Sequence, residues 1–261
     1  MTINILDTGA ALGDAGDDAH PPLVLVHGFT GSAHDWVGIT PALAVDRRLI
    51  AVEHRGHGDS PNHGRSSDYS FDLLVSDFEE AVDELQLAPF DLLGHSMGGI
   101  VAMRYTVAHP DAVASLILMD TSAEPTDIPG EVIDHLAEIG RAGGMGAVFD
   151  AINDFTGTAP NAEDRGRFAR MDVEAFAALG HELGQYPSML GELARVWCPT
   201  TVMVGADDHG LRDAAVRMHE AIDGSTLAVI EGAAHSPQTD QPDAWLAVVR
   251  AHLDRARQLG R

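Results

Sequence analysis

The chain has 261 residues, of which 45% are apolar. It contains 40 Asp and Glu residues and 16 basic residues, all of them Arg, so its formal net charge is −24. Such an acidic chain repels phosphate backbones and anionic lipid headgroups, so we expect neither nucleic acid nor a membrane as its partner. The single cysteine, Cys198, excludes an intramolecular disulfide and a metal site made of several thiolates of this chain. Because no apolar run of about 18 residues occurs and the acidic first 22 residues do not resemble a signal peptide, we expect a cytoplasmic protein.

Short apolar runs alternate with longer segments of helical spacing along most of the chain. The runs predict strands buried on both faces, because they lack the polar alternation of a half-exposed strand. They occupy residues 23–27, 49–53, 90–94, 115–120, 200–205 and 226–231, and the helical segments occupy residues 71–87, 98–109, 212–222 and 243–259. This alternation predicts an α/β fold with a mainly parallel, doubly wound sheet, to which residues 1–8 would add an edge strand.

The alternation stops between residues 122 and 196, where no comparable apolar run occurs. This stretch holds four of the eight Phe and three of the nine Met residues, and we expect it to form several helices inserted between two core strands. The predicted organisation is a core of residues 1–121 and 197–261 with a helical cap, or lid, of residues 122–196. The Phe and Met side chains of the cap either form its own small core or line a pocket beneath it.

The most informative motif, Gly94-His95-Ser96-Met97-Gly98, lies between a predicted strand and a predicted helix. It resembles the nucleophile elbow, G-x-S-x-G, of the α/β-hydrolase superfamily. In that elbow the serine has a strained backbone, and the small residues two positions before and after it let the strand and the helix approach closely. The resemblance covers nearly the whole chain, and it implies an α/β-hydrolase fold with Ser96 as the nucleophile.

A serine hydroxyl needs a base to accept its proton and an acid to orient that base. The family carries these residues in the order Ser, Asp or Glu, His, which Asp208 and His235 match, each of them after a predicted strand. The carboxyl ends of parallel strands gather functional groups at one edge of an α/β sheet. The resemblance therefore implies a catalytic triad of Ser96, Asp208 and His235, with Asp120 and Asp207 as alternatives for the acid.

The segment His27-Gly28-Phe29 follows a predicted strand and resembles the His-Gly-X loop of the same family. The resemblance assigns the main-chain N–H of Phe29 to an oxyanion hole, where backbone donors stabilise the charge that develops in acyl transfer. The second donor would be the N–H of Met97 at the start of the next helix, where the helix dipole also favours negative charge.

Residues 53–60 resemble another family turn, Asp-x-Arg-Gly-x-Gly-x-Ser, with Glu53 in place of the usual Asp. The His and Asp side chains of this region also permit a different interpretation, namely a metal-binding cluster. Its members would be His54, His57, Asp59 and His63. The family turn accounts for the same residues without a metal, and we expect neither a metal nor a cofactor.

The resemblance implies a serine hydrolase of the carboxylesterase or enol-lactonase type, acting on a small-molecule ester, lactone or thioester. Dehalogenases and epoxide hydrolases of the superfamily need a carboxylate at the elbow, where this chain has Ser96. Cofactor-free perhydrolases and catalytically inactive ligand-binding proteins of the same fold are alternatives. So are hydrolases of carbon–carbon bonds, which usually carry Trp after the catalytic His, whereas Ser236 follows His235 here.

Apolar side chains near these motifs predict a pocket for a small to medium, largely uncharged acyl group. The predicted substrate-binding residues are Trp36, Met145, Phe149 and Phe155, beside the side chains of Phe29 and Met97. An anionic substrate would instead require an arginine of the cap. The candidates are Arg141, Arg165, Arg167 and Arg170.

Overall fold

The computed structural model describes residues 3–9, 20–157, 159 and 161–259. Its strands are β1 (Ile5–Asp7), β2 (Leu23–Val26), β3 (Leu49–Val52), β4 (Phe90–His95), β5 (Val113–Met119), β6 (Thr200–Gly205) and β7 (Thr226–Ile230). They form one sheet in the order β1-β3-β2-β4-β5-β6-β7, in which β1 pairs antiparallel with β3 and all other pairs are parallel. The predicted mainly parallel sheet is confirmed, and the edge strand comprises residues 5–7 of the predicted 1–8, of which residues 1–2 lie outside the described residues.

Ten α-helices occur in the described residues. They are α1 (Thr40–Leu43), α2 (Phe71–Glu84), α3 (Met97–Ala108), α4 (Gly130–Gly143), α5 (Met145–Thr156), α6 (Ala162–Phe168), α7 (Val173–Leu183), α8 (Arg212–Ala221), α9 (Pro237–Asp240) and α10 (Pro242–Leu259). Short 3-10 helices add Ala33–Trp36, Ser66–Asp68 and Glu192–Arg195. No helix within the described ranges combines the length and the apolar character needed to cross a membrane.

Two apolar clusters cover the two faces of the sheet. Because successive side chains of a strand point to opposite faces, Val24 and Val26 of β2 belong to one cluster and Leu23 and Leu25 to the other. The first cluster includes buried residues of α2, α3 and α8, and the second includes Trp245 and other residues of α10. Helices therefore lie on both faces, as the doubly wound pattern predicts.

A buried ion pair ties the beginning of β4 to the loop before β3. Arg47 Nη1 donates to Asp91 Oδ2 over 3.0 Å, and both side chains are less than 10% exposed. Ser115 of β5 donates its hydroxyl to the other carboxylate oxygen of Asp91 over 2.6 Å. Burial raises the pKa of Asp91 even with these partners, so this carboxylate depends on them for its stability in the folded chain.

The chain between β5 and β6 contributes α4, α5, α6 and α7. The rings of Phe149 and Phe168 pack with centroids 5.6 Å apart, and Phe168 in turn contacts Phe176. Phe176 stacks on Phe29, whose loop follows β2, at 5.1 Å. The helices of this segment therefore share a continuous apolar contact with the loop that carries the predicted oxyanion donor.

Candidate active site

Ser96 lies in a sharp turn between β4 and α3, with φ 53° and ψ −120°. A side chain on either neighbouring glycine would prevent this turn, since a Cβ on Gly94 would lie 2.4 Å from the carbonyl oxygen of Gly98, and one on Gly98 2.4 Å from that of Val26. Three hydrogen bonds hold the strained conformation. Ser96 donates its N–H to the Met119 carbonyl (2.9 Å), and its own carbonyl accepts from the Thr121 hydroxyl (2.7 Å) and the Gly99 N–H (2.8 Å). The turn thus presents the Ser96 hydroxyl at the carboxyl edge of the sheet.

His235 lies between Ser96 and Asp208. Its Nδ1–H donates to Asp208 Oδ2 over 2.7 Å, and its Nε2 lies 3.0 Å from Ser96 Oγ. With the proton on Nδ1, the lone pair of Nε2 is directed at the serine hydroxyl and accepts its proton. The structure therefore brings together the three side chains that the sequence predicts as a triad.

Of the other two candidate acids, Asp207 is exposed, whereas Asp120 is buried. The loop after β6 is pinned by the Asp207 N–H, which donates to the carbonyl oxygen of Ala233 over 2.8 Å. Asp120 follows β5 and accepts from the Gly205 N–H over 2.9 Å. The hydrogen bond to the His235 ring is made by Asp208.

The electrostatics of this group favour charge separation between base and acid. Burial by itself lowers the pKa of His235, but the hydrogen bond and the charge of Asp208 outweigh it, so that the pKa is raised above the ordinary 6.5. Burial likewise opposes ionisation of Asp208, yet its hydrogen bond to His235 and the charge of that ring leave the pKa below the ordinary value. Asp208 is therefore an ionised partner that stabilises an imidazolium on His235.

A carboxylate oxygen of Asp120, one of Asp208 and a ring nitrogen of His235 lie within 4.8 Å of one another. A metal ion could bridge such atoms, but the Asp208 oxygen and His235 Nδ1 already share a hydrogen bond. The alternative cluster of His54, His57, Asp59 and His63 does not form in the described structure. His57 has both ring nitrogens on carbonyl oxygens, and Asp59 pairs with Arg170.

His95 is a site residue that sequence reasoning did not identify. It is buried, and its Nε2–H donates to the main-chain carbonyl of His235 over 2.7 Å. Burial, followed by the proximity of His235, lowers the pKa of His95 to about 3, so the ring is neutral and its proton stays on Nε2. The signal that could have found it is its place beside Ser96, because the residue before an elbow serine points toward the loops that carry the other site residues.

The two predicted oxyanion donors belong to residues that line one cavity. Both Phe29 and Met97 line the cavity next to Ser96, and among the described residues no backbone hydrogen bond uses either N–H. The loop after β2 approaches the elbow so closely that a Cβ on Gly28 would lie 3.1 Å from the Ser96 Cβ. His57 holds this loop from behind, with its Nε2 2.6 Å from the carbonyl oxygen of Phe29.

Glu53 has a structural role that the sequence did not indicate. Its carboxylate accepts from the N–H groups of Ala33 (3.2 Å) and Asp59 (2.6 Å), and from the side chain of Asn4 (2.9 Å). The residue that departs from the usual Asp therefore ties together the segment behind the oxyanion loop, the turn after β3 and the chain that leads into β1.

A cavity of about 670 Å³ opens above Ser96. Its apolar wall comes from Phe29, Ile100, Ile128, Leu183, Tyr186 and Leu211. Two arginines also line it, and each is paired with acids: Arg167 with Asp35 and Asp164, and Arg217 with Glu124. Of the four predicted cap arginines only Arg167 lines the cavity, and Arg217 of α8 was not predicted.

The structure does not place the other predicted substrate-binding residues on the wall of this cavity. Trp36 is 1% exposed and packs against Trp245 in the core below the sheet. Met145 is buried in the segment between β5 and β6, and Phe149 packs on the ring of Phe168. Phe155 is 93% exposed. These side chains were chosen for their chemistry, but the helix faces on which they lie direct them away from the cavity.

Comparison with known proteins agrees with the fold. A family model described as the alpha/beta hydrolase fold matches residues 21–142. The chain is 28% identical, over 93% of its length and 94% of the relative, to a putative 2-succinyl-6-hydroxy-2,4-cyclohexadiene-1-carboxylate synthase of Bacillus subtilis. It is 29% identical, over 90% of its length and 87% of the relative, to a 2-hydroxy-6-oxononadienedioate/2-hydroxy-6-oxononatrienedioate hydrolase of Escherichia coli.

A solved esterase from Thermogutta terrifontis superposes with a TM-score of 0.81 at 26% identity, covering 97% of this chain and 93% of that one. The matched region of the family model contains the elbow and the loop after β2, and the structural likeness extends over the strands that carry Asp208 and His235. The chain therefore has the α/β-hydrolase fold, which the family model and the solved esterase share.

Proposed function

We propose that this protein is a serine hydrolase that cleaves a carboxylic ester, lactone or thioester through an acyl-enzyme on Ser96. The observation that carries the proposal is the hydrogen-bonded chain from Asp208 through His235 to Ser96, at 2.7 and 3.0 Å, on the floor of a cavity. Two unused N–H groups beside the hydroxyl supply what this chemistry needs at the carbonyl oxygen.

In the acylation step, Ser96 Oγ attacks the carbonyl carbon while His235 Nε2 takes the hydroxyl proton. The carbonyl oxygen becomes negatively charged and accepts from the N–H groups of Phe29 and Met97. Asp208 stabilises the imidazolium that forms, consistent with the raised pKa of His235. When the tetrahedral intermediate collapses, the bond to the leaving group breaks, and the His235 proton goes to the departing alcohol or thiol.

In the second step a water molecule takes the place of the leaving group. His235, neutral again, accepts a proton from this water as its oxygen attacks the acyl carbon, and the same two N–H groups hold the second oxyanion. Collapse of this intermediate returns the proton to Ser96 Oγ and releases the carboxylic acid. His95 contributes by keeping the main chain of His235 fixed through both steps, since its Nε2–H is bonded to that carbonyl.

The composition of the cavity wall supports a small to medium, largely uncharged substrate. Apolar side chains form much of the wall, and the charges of Arg167 and Arg217 are already balanced by neighbouring carboxylates. A negatively charged acyl group would have to displace Asp35 or Glu124 from these pairs. We therefore expect neutral esters to be preferred over esters of dicarboxylic acids.

We also propose that residues 122–196 act as a cap over the site. Ile128, Arg167, Leu183 and Tyr186 of this segment lie on the cavity wall. The segment is joined to the core beside the site by the ion pair of Arg167 with Asp35. A cap in this position encloses the acyl group and sets the size of the substrate.

The direct test compares hydrolysis of short p-nitrophenyl esters by the wild type and by Ser96→Ala, with Ser188→Ala as the control for the same change at an exposed site. We expect turnover to disappear in Ser96→Ala and to be unchanged in Ser188→Ala. Equal rates in all three proteins would show that Ser96 is not the nucleophile.

A second candidate is hydrolysis of a carbon–carbon bond in a ring-cleavage diketone, favoured by the 29% identity to the Escherichia coli oxo-dienedioate hydrolase. The same three residues serve that reaction, so the substrate panel has to include such a diketone together with esters, lactones and thioesters. The panel also includes a peracid assay for perhydrolysis. Failure of a fluorophosphonate to label Ser96 in the folded protein would favour a binding protein without catalysis.

A further inference from the structure

Asp120 lies directly behind the proposed acid of the triad. It follows β5, has φ 44° and is 1% exposed. Its Oδ1 accepts from the Gly205 N–H, whereas its buried Oδ2 has no donor among the described residues. Since an Asp120 oxygen lies within 4.8 Å of an Asp208 oxygen, the unpartnered atom belongs to a pair of neighbouring carboxyl groups.

Two ionised carboxylates at this spacing would repel each other with little water to screen them. The titratable groups that face Asp120 are Asp208 from the loop after β6 and His235 from the loop after β7, with His95 of β4 close to both. In the described structure no arginine forms an ion pair with Asp120 or Asp208. His235 has a single Nδ1–H, which Asp208 already accepts. The His235 ring can therefore compensate the negative charge of one carboxylate, but not the charges of both Asp120 and Asp208.

We propose that Asp120 is a positioning residue that remains protonated at neutral pH and donates its carboxyl proton to Asp208. This inference rests on the proposed function of the triad and deepens it. Asp208 then receives two donors, the Asp120 hydroxyl on one side and the His235 Nδ1–H on the other, which fixes the orientation of its carboxylate. If both carboxyl groups were ionised, Asp120 Oδ2 would have no hydrogen-bond partner. With a proton on Asp120, this oxygen takes part in a hydrogen bond to Asp208.

The direction of both pKa shifts agrees with this arrangement. Burial raises the pKa of Asp120 to about 8, and a hydrogen bond to Asp208 contributes to the rise. The same hydrogen bond lowers the pKa of Asp208. The pair therefore carries one negative charge at pH 7, and that charge resides on the carboxylate that contacts His235.

The arrangement has a consequence for the reaction. A donor on Asp208 reduces the basicity of that carboxylate, so that the proton taken from Ser96 stays on His235 and is available for the leaving group. Asp120 acts through Asp208, which carries the hydrogen bond to His235. When Asp120 loses its proton at alkaline pH, Asp208 loses a donor and gains a repelling neighbour.

The test uses two variants. In Asp120→Asn the amide N–H₂ replaces the carboxyl proton as the donor. Asp120→Gly removes the side chain, and with it any donor, and glycine tolerates the positive φ of this position without backbone strain. The pH dependence of kcat/KM is measured for both variants and the wild type. We expect the activity of the wild type to decline above about pH 8, where Asp120 loses its proton. Asp120→Asn should keep the wild-type rate at pH 7 and the wild-type acid limb, and should lose this alkaline decline. Asp120→Gly should lose at least about tenfold in kcat/KM, because a hydrogen bond to a charged group is removed.

The proposal is overturned if the acid limb of Asp120→Asn moves down by about one pH unit, since an ionised Asp120 would raise the pKa of His235. It is also overturned if the alkaline decline persists in Asp120→Asn, or if Asp120→Gly is as active as Asp120→Asn.

A readout independent of activity separates this proposal from the proposed function. Infrared spectroscopy in Ser96→Ala should show the C=O band of a buried un-ionised carboxylic acid at pH 7, which Asp120→Asn in the same background removes. If the wild type is inactive toward every substrate while this band is present, the proposed function fails and the protonation of Asp120 stands. If the enzyme is active and the band is absent, the inference about Asp120 fails alone.

Discussion

Replacing Asp208 by Ala should reduce turnover by about three orders of magnitude. The His235 Nδ1 to Asp208 Oδ2 distance of 2.7 Å places the imidazolium and carboxylate charges about 4 Å apart, which is worth about 4 kcal/mol at an effective dielectric constant of about 20. Since about 1.4 kcal/mol corresponds to a factor of ten in rate, losing this stabilisation slows the reaction about 10³-fold. Alanine is chosen because an asparagine could still accept the Nδ1–H through its amide oxygen.

The assay is the kcat/KM of a neutral p-nitrophenyl ester across a range of pH, with Asp207→Ala as the matched control. Asp207 adjoins Asp208 but is exposed, so its removal changes the net charge equally without touching His235. We expect Asp207→Ala to behave as the wild type, and Asp208→Ala to show its acid limb at lower pH because the carboxylate that raises the pKa of His235 is gone. A loss smaller than tenfold in Asp208→Ala would refute the reasoning and transfer the role of the acid to Asp120.

Three further outcomes are expected. In the wild type, kcat/KM should fall as the pH is lowered through a midpoint above 6.5, because the pKa of His235 is raised and only the neutral ring accepts the serine proton; a midpoint below 6.5 would contradict this. Phe155→Ser should leave KM unchanged and alter the free energy of unfolding by less than about 0.5 kcal/mol, since this ring is 93% exposed; a raised KM would return Phe155 to the substrate pocket. Asp91→Ala should lower the free energy of unfolding in urea by about 3–5 kcal/mol, because it leaves the buried Arg47 with only the more exposed Asp46 as a partner. Asp7→Ala, which breaks a more exposed pair, should cost less than about 1 kcal/mol; similar losses in both would refute the argument from burial.

The sheet was predictable because its strands are buried on both faces. Runs such as 23–27 and 200–205 contain too few polar residues for a half-exposed strand or a surface loop. The strands β2 and β6 lie within these two runs. The elbow was predictable for a related reason. The close approach of β4 and α3 at Ser96 tolerates only very small residues, so Gly94 and Gly98 mark the turn in the sequence itself.

The pocket wall was not predictable, since it depends on which face of a helix a side chain occupies. Phe155 and Leu183 both belong to the segment between β5 and β6, yet one is exposed and the other lines the cavity. Arg217 lines the cavity although it belongs to α8, a helix of the core. Composition alone cannot indicate that this arginine lies on the cavity wall. The adjacency of Asp120 and Asp208 likewise depends on the pairing of β5 with β6. From the sequence alone, these two residues were therefore alternatives for the acid of the triad, whereas in the structure they lie next to each other.

The central claim, that Ser96 is the nucleophile, is tested most directly by the site of covalent labelling. The folded protein is treated with a fluorophosphonate, and the adduct is located by mass spectrometry of its peptides. One adduct per chain, on Ser96 in the wild type and absent from Ser96→Ala, is the predicted result. An adduct on another residue, or labelling of Ser96→Ala at the wild-type rate, would contradict the account.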